Sequence, residues 1–233
     1  NTWSALGSVT RDGGNEVYVL AAIGTDLYAG GLFTTVGGVP ANNIAKWNGS
    51  TWSALGSGIG GGDYPWGVGA LAVSGTDLYV SGGFTMAGGV PATNIAKWNG
   101  TSWSALGSVT GGDYPEVGAL AVIGSDLYAG GTFQTRYGAA ADFIAKWDGS
   151  SWAALGSGMN APVYALAVDG TDLYAGGFFT TAGGVPANHI AKWDGTAWSA
   201  LGSGVDRLVR ALAVSGTDLY AGGFFTTAGG VPA

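Results

Sequence analysis

Residues Val163 to Gly204 read VYALAVDGTDLYAGGFFTTAGGVPANHIAKWDGTAWSALGSG, and the fold is decided in this stretch. It is one copy of a unit that the chain repeats almost word for word. The Leu-Tyr pair returns at Leu27-Tyr28, Leu78-Tyr79, Leu127-Tyr128, Leu173-Tyr174 and Leu219-Tyr220, in steps of 51, 49, 46 and 46 residues. A repeat of this length is a supersecondary unit that buries its apolar surface only against its neighbours.

Four short strands, A to D, are legible in the unit. ALAV is an apolar run that stops at Asp-Gly-Thr-Asp, the residues of a tight turn. DLYAGGFFTT, rich in aromatic and β-branched residues, runs as strand B to the breaker Ala-Gly-Gly-Val-Pro. HIAKW and AWSAL follow as C and D. The Asp-Gly or Asn-Gly between them predicts a tight hairpin whose turn positions want positive φ. The order predicts a four-stranded antiparallel meander.

Apolar residues fall on both faces of this meander, so each sheet needs a neighbour on either side. Stacking like sheets face to face around an axis supplies both and leaves short edges, which predicts an all-β fold, a β-propeller. A solenoid would use rungs of about 20–30 residues instead of four antiparallel strands. Residues 1–233 are expected to form one domain of five blades, at 17–56, 68–107, 117–156, 163–202 and 209–233. NTWSALGS at residues 1–8 reads as a strand D that closes the last blade. That blade has A and B but no counterpart of HIAKWDG. Without C, both B and D would carry unpaired edge groups, which a native chain longer than this one, self-association through a strand donated by another copy, or further blades beyond Ala233 would satisfy.

A Gly doublet closing the second strand (Gly176-Gly177), an aromatic on the third (Trp193) and a Trp on the fourth (Trp198) resemble the kelch type of propeller repeat, with Trp where kelch blades usually carry Tyr. The fuller pattern, GGxFTTAGGVPANxIAKWDGxxWSALGSG, is similar to repeats of secreted or surface-anchored propeller proteins, including the fungal cortical polarity marker Rax2 and bacterial surface proteins. The resemblance implies a propeller at the cell surface or outside the cell. It implies no particular activity, because propellers host many.

Composition sets further limits. Gly is 46 of 233 residues without a period of three, and with 47% hydrophobic residues and ten Trp the chain is neither collagen-like nor disordered. Charged residues are 10%, against about 25% in ordinary domains. A surface of Gly, Ser, Thr and Asn suits an extracellular or cell-surface location. A net charge of −7 with eight scattered basic residues argues against nucleic acid. The absence of Cys removes disulfides, thiolate nucleophiles and sulfur metal sites. No apolar run approaches the roughly 18 residues of a membrane span, so membrane insertion is not expected.

The near-identical units differ in their loops, and loops on a rigid scaffold are where binding is usually carried. The D-to-A connection is long before blades 2 and 3 (Ile59–Gly69 and Val109–Gly118) and short before blades 4 and 5. Blade 3 also replaces its B-to-C loop with FQTRYGAAADF. Both connections leave a propeller on the same face. The candidate ligand-binding residues are therefore Asp63, Tyr64, Trp66, Asp113, Tyr114, Glu116, Arg136, Tyr137 and Asp142. Rings with carboxylates and an Arg suit a carbohydrate or a peptide or protein ligand.

The remaining candidates read as scaffold, and neither a cofactor nor a metal is expected. The Asp before each Leu-Tyr (Asp26, Asp77, Asp126, Asp172, Asp218) lacks calcium-loop spacing and is expected to tie down the A–B turn. Lys46, Lys97, Lys146 and Lys192 repeat on strand C. His189 fills a slot held by Asn43, Asn94 and Phe143 in sister blades, the pattern of a tolerated substitution and not of a catalytic base. An enzyme is not expected. Asn48 and Asn99 head glycosylation acceptor triplets on exposed C–D turns, where Asp148 and Asp194 stand in the sister units. The expected function is a secreted or surface binding module; the alternative is a structural repeat unit of a larger surface protein.

Overall fold

The computed structural model describes residues 2–12, 15–61, 67–107, 116–133 and 142–233, and all regular secondary structure among them is β-strand. Two units are distinguished, residues 1–108 and 109–233. The first contains two four-stranded antiparallel sheets. One is Glu16–Ile23, Asp26–Leu32, Ile44–Trp47 and Trp52–Ala54; the other is Gly67–Ser74, Asp77–Gly83, Ile95–Trp98 and Trp103–Ala105. The second unit contains two more. Val117–Ile123, Asp126–Gly131, Ile144–Trp147 and Trp152–Ala154 form one; Val163–Asp169, Asp172–Gly177, Ile190–Trp193 and Trp198–Ala200 form the other. A two-stranded sheet of Val209–Ser215 and Asp218–Gly223 follows.

Local chemistry explains the connections, and two differ from expectation. Strand B ends at its Gly doublet instead of running on through Phe-Phe-Thr-Thr. Thr181–Ala182 and Val185–Pro186 form a separate hairpin, turned by Gly183 and Gly184 at φ 56° and 82°. The turn with positive φ at both positions therefore lies here, and not between C and D. Trp47 pairs with Trp52 across a four-residue loop in which Gly49 alone has positive φ, and the Asn48 Oδ1 accepts from the Ser50 and Thr51 amides at 3.0 and 2.9 Å. This side-chain cap replaces backbone turn geometry. The same cap at Asp194 pulls its carboxyl down to about 2, through bonds from Ala197 and Thr196.

Each four-stranded sheet hides a phenylalanine, Phe33, Phe84, Phe133 or Phe179, completely. Neighbouring sheets approach closely because the doublet's first Gly has no side chain. A Cβ on Gly30 would lie 2.4 Å from Val68 Cγ1, and one on Gly176 would lie 2.5 Å from Val209 Cγ1. Tryptophans staple one repeat to the next. Trp103 Nε1 donates to the Leu55 carbonyl at 2.8 Å and Trp198 Nε1 to the Leu155 carbonyl at 3.0 Å. The same Trp packs on its strand-C partner, with ring centroids 5.4 Å apart for Trp193 and Trp198.

Four of the five aspartates before Leu-Tyr reach across to the strand-C lysine and do not tie down the A–B turn: Asp26–Lys46 and Asp77–Lys97 at 3.0 Å, Asp126–Lys146 at 2.8 Å, and Asp172–Lys192 at 2.9 Å. The turn already closes on Gly24-Thr25, with Gly24 at φ 59°, and needs no carboxylate. Residues 2–8 carry no strand, and Trp3 is fully exposed. Strand D hydrogen-bonds to strand C in every four-stranded sheet.

Candidate functional site

In each unit the D-to-A and B-to-C connections meet at one end of the sheets. The Ile59 amide donates to the Asn42 carbonyl at 2.9 Å, the Asn43 Nδ2 donates to the Ile59 carbonyl at 2.8 Å, and Ile59–Gly60 pairs with Met86–Ala87. A crossing segment is thus held between the B-to-C loops of consecutive repeats. Met159 repeats this between Asp142 and Ala182, and Val205 between Asn188 and Ala228. Asn42, Asn43, Ser57, Gly61, Met86 and Gly89 line a cavity of about 370 Å³ here, and none of the described residues lining it is charged.

Of the residues singled out from sequence, Asp63, Tyr64, Trp66, Asp113, Tyr114, Arg136 and Tyr137 lie outside the described residues. Asp142 is engaged through its backbone, accepting from the Met159 amide at 3.0 Å, and it occupies the scaffold position of Asn42 and Asn188. Glu116 directly precedes strand A of its sheet, Val117–Ile123. Its amide donates to Thr132 Oγ1 at 3.0 Å and its carbonyl accepts from the Thr132 amide at 2.9 Å. Burial pushes its carboxyl above the usual carboxylate range. Asn48 and Asn99 are exposed on their turns.

A second set of residues at this end was missed in the sequence. Strand A bulges near its start, leaving one residue unpaired in each repeat: Tyr18, Gly69, Gly118, Tyr164 and Arg210. The Arg210 guanidinium lies over the Tyr164 ring, 4.9 Å from its centroid, and 5.9 Å from that of Phe224. Phe224 and Phe178, each following a Gly doublet, are 64% and 58% exposed, whereas Phe179 is fully buried and Phe225 half-buried. Beside Phe178, ring centroids 5.9 Å apart, stands His189.

His189 is at φ 64°, in the left-handed region shared by Asn43, Asn94 and Phe143. Asn suits this conformation, and Asn43 also accepts from the Phe33 amide at 3.2 Å. The buried Nδ1 of His189 has no hydrogen-bond partner among the described residues. A backbone position best served by Asn is thus given to an imidazole next to an exposed ring, and strain of this kind gathers at functional sites. The sequence carried only part of a signal: the bulge is Gly after the loops before Gly69 and Gly118 and Tyr or Arg after the short ones before Tyr164 and Arg210, but Tyr18 follows a loop as long as that before Gly118.

Among the described residues, no group of three or more His, Asp or Glu side chains is arranged to hold a metal, and no helix is long and apolar enough to cross a membrane. No protein-family model and no curated protein matches the chain. Solved structures do. The WD40 β-propeller domain of Doa1 is similar with TM-score 0.59 and 15% identity over 93% of this chain and 64% of that one. The chain has the β-propeller fold. The extracellular domain of the one-component system BT4673 from B. thetaiotaomicron matches at TM-score 0.59 and 12% identity over 91% of this propeller and 26% of that chain. The computationally designed protein Ika8 matches at 0.54 and 16% over 89% and 55%. The propeller thus spans between about a quarter and two thirds of these three chains.

Proposed function

We propose that this propeller is a secreted or cell-surface, non-enzymatic binding module that takes a carbohydrate or an extended peptide on the loop-bearing end of its sheets. The observation that carries this reading is the cluster at Tyr164, Phe178, His189, Arg210 and Phe224, where exposed rings flank a stacked guanidinium. Exposed rings offer stacking surface to a sugar or a side chain, and Arg and His direct hydrogen bonds beside it. The resemblance to kelch-type and Rax2-like repeats supports the extracellular setting, as do the exposed Asn48 and Asn99 triplets, which make the protein a glycoprotein in a host that modifies them.

Microarrays of oligosaccharides and of extended peptides test the reading. The expected result is binding by the native chain that a Tyr164→Ala, Phe178→Ala, Arg210→Ala variant loses while its melting temperature stays within a few degrees. Binding that survives in this variant sinks the proposed face. The second reading, a structural repeat unit of a larger surface protein or extracellular assembly, is favoured by the near-identity of the repeats, each built on the same strands and the same Asp–Lys pair. Blank arrays for the native chain support it.

A further inference from the structure

We infer that the cavity between the first two repeats is a binding site for one uncharged pyranose unit, either a free monosaccharide or the terminal residue of a glycan. The site goes beyond the cluster at Tyr164 and Arg210, because every described residue that lines it belongs to the first unit. Gly60 is the residue that opens it. In two later repeats the equivalent residue follows the same crossing contact, Met159 with Ala182 or Val205 with Ala228, and is Asn160 or Asp206. Both of those side chains fold back onto the next B-to-C loop. Asn160 Oδ1 accepts from the Thr180 and Thr181 amides at 2.9 and 3.0 Å, and Asp206 Oδ1 from those of Thr226 and Thr227 at 2.7 and 3.0 Å. At Gly60 the backbone serves instead: the Thr85 amide donates to the Gly60 carbonyl at 3.2 Å, and Met86 pairs opposite it.

Nothing in the fold asks for glycine at this position. Gly60 has no positive φ, and a Cβ on it would meet nothing within 4 Å. Its neighbour Gly61 differs, standing at φ 75° where a Cβ would lie 2.2 Å from Thr85 Oγ1. A glycine costs backbone entropy on folding, so the consequence of Gly60 lies elsewhere: it keeps clear the wall of the cavity of about 370 Å³.

The chemistry of the walls selects the occupant. Ligand pockets run from about 300 to 1,000 Å³, and one near the lower end suits a single ring. None of the described lining residues is charged, so an ionised ligand would give up hydration with no opposite charge in return. Asn42 donates its Nδ2 to the Ser57 carbonyl at 3.1 Å, and neither its Oδ1 nor the Ser57 hydroxyl has a hydrogen-bond partner among the described residues. A sugar hydroxyl both donates and accepts, so neighbouring hydroxyls satisfy the two groups together. The half-buried Met86 offers an apolar surface to the ring's C–H groups.

The test uses the full chain, isotope-labelled for amide NMR and titrated with glucose, galactose, mannose and N-acetylglucosamine, with glucuronate as the charged counterpart. Shifts are expected at Ser57, Gly60, Gly61 and Gly89, saturating for at least one neutral sugar with a dissociation constant on the order of 1 mM, as so small a ligand allows. Binding retained by a methyl glycoside of that sugar assigns the site to a glycan terminus, and binding lost by both anomeric glycosides assigns it to the free sugar. Gly60→Asn, which supplies a later repeat's residue, is expected to weaken binding roughly tenfold at an unchanged melting temperature, and Ser57→Ala about two- to tenfold, the loss of one hydrogen bond. The Tyr164→Ala, Phe178→Ala, Arg210→Ala variant should bind these sugars as the native chain does, so failure of that cluster and failure of this site are told apart. No shift with any neutral sugar, shifts away from the cavity, tighter binding of glucuronate, or binding that survives both Gly60→Asn and Ser57→Ala overturns the inference.

Discussion

Arg210 stacks on Tyr164 across two consecutive repeats, its guanidinium 4.9 Å from the ring centroid, and each of the two is the unpaired residue of a β-bulge. The bulge turns a side chain that would otherwise alternate within strand A out toward the loop-bearing end. A double-mutant cycle over Arg210→Ala and Tyr164→Phe, Tyr164→Ala is expected to give a coupling of about 0.5–1 kcal/mol in thermal stability, the range of an exposed cation–π contact. Strictly additive melting shifts would show that the stacking contributes nothing.

His189→Asn restores the side chain that Asn43 uses at the equivalent left-handed position. The gain is expected at about 1 kcal/mol, or a rise of about 2–4 °C in a domain of this size. If His189 also contacts ligand, the same variant binds more weakly while melting higher. An unchanged or lower melting temperature would contradict the strain argument.

Glu116 supplies a pH dependence. A carboxyl whose native pKa lies above its unfolded one favours folding only when protonated. Its contribution is therefore full below the ordinary carboxylate range and is lost as pH rises through the raised native value, in the direction that burial imposes. Glu116→Gln is expected to melt higher than the native protein at neutral pH, and the difference should vanish by about pH 3. A constant difference across that window would assign the effect to something other than ionisation.

Ser81 is fully buried, and its hydroxyl has no hydrogen-bond partner among the described residues. It stands at the position of Gly30, Gly130 and Gly176, where the sister repeats present no polar atom. Ser81→Ala is expected to stabilise the first unit by about 1 kcal/mol, the cost of desolvating an unpaired hydroxyl. Chemical denaturation should show a higher midpoint at unchanged slope. A lower midpoint would mean that the hydroxyl is satisfied in solution.

Much of the fold is legible in the repeat because both of its signals are local. Ten Trp and the alternation of apolar runs with Gly-rich turns set strands A to D, and the 46-residue spacing of the later units requires stacking. The strand-C lysine and the strand-B aspartate both recur, yet their meeting depends on register: the residues are 20 apart in the chain and one ladder step apart in space. The turn between C and D was misjudged for a related reason. Asn-Gly allows a two-residue turn, but Trp47 and Trp52 pair with four residues between them, and the Asn side chain takes over the capping.

The sequence alone determined that the chain is an all-β repeat of four-stranded sheets, since periodicity, turn residues and apolar pattern act within a few residues of one another. It also determined that the differences between repeats gather at one set of connections. Only the tertiary structure decided which residues are presented there. Bulging of strand A brings Tyr164 beneath Arg210, and a left-handed backbone position holds His189 against Phe178. These depend on how one repeat packs on the next, and a side chain's direction at a bulge follows from the ladder it interrupts, which no single stretch of sequence contains.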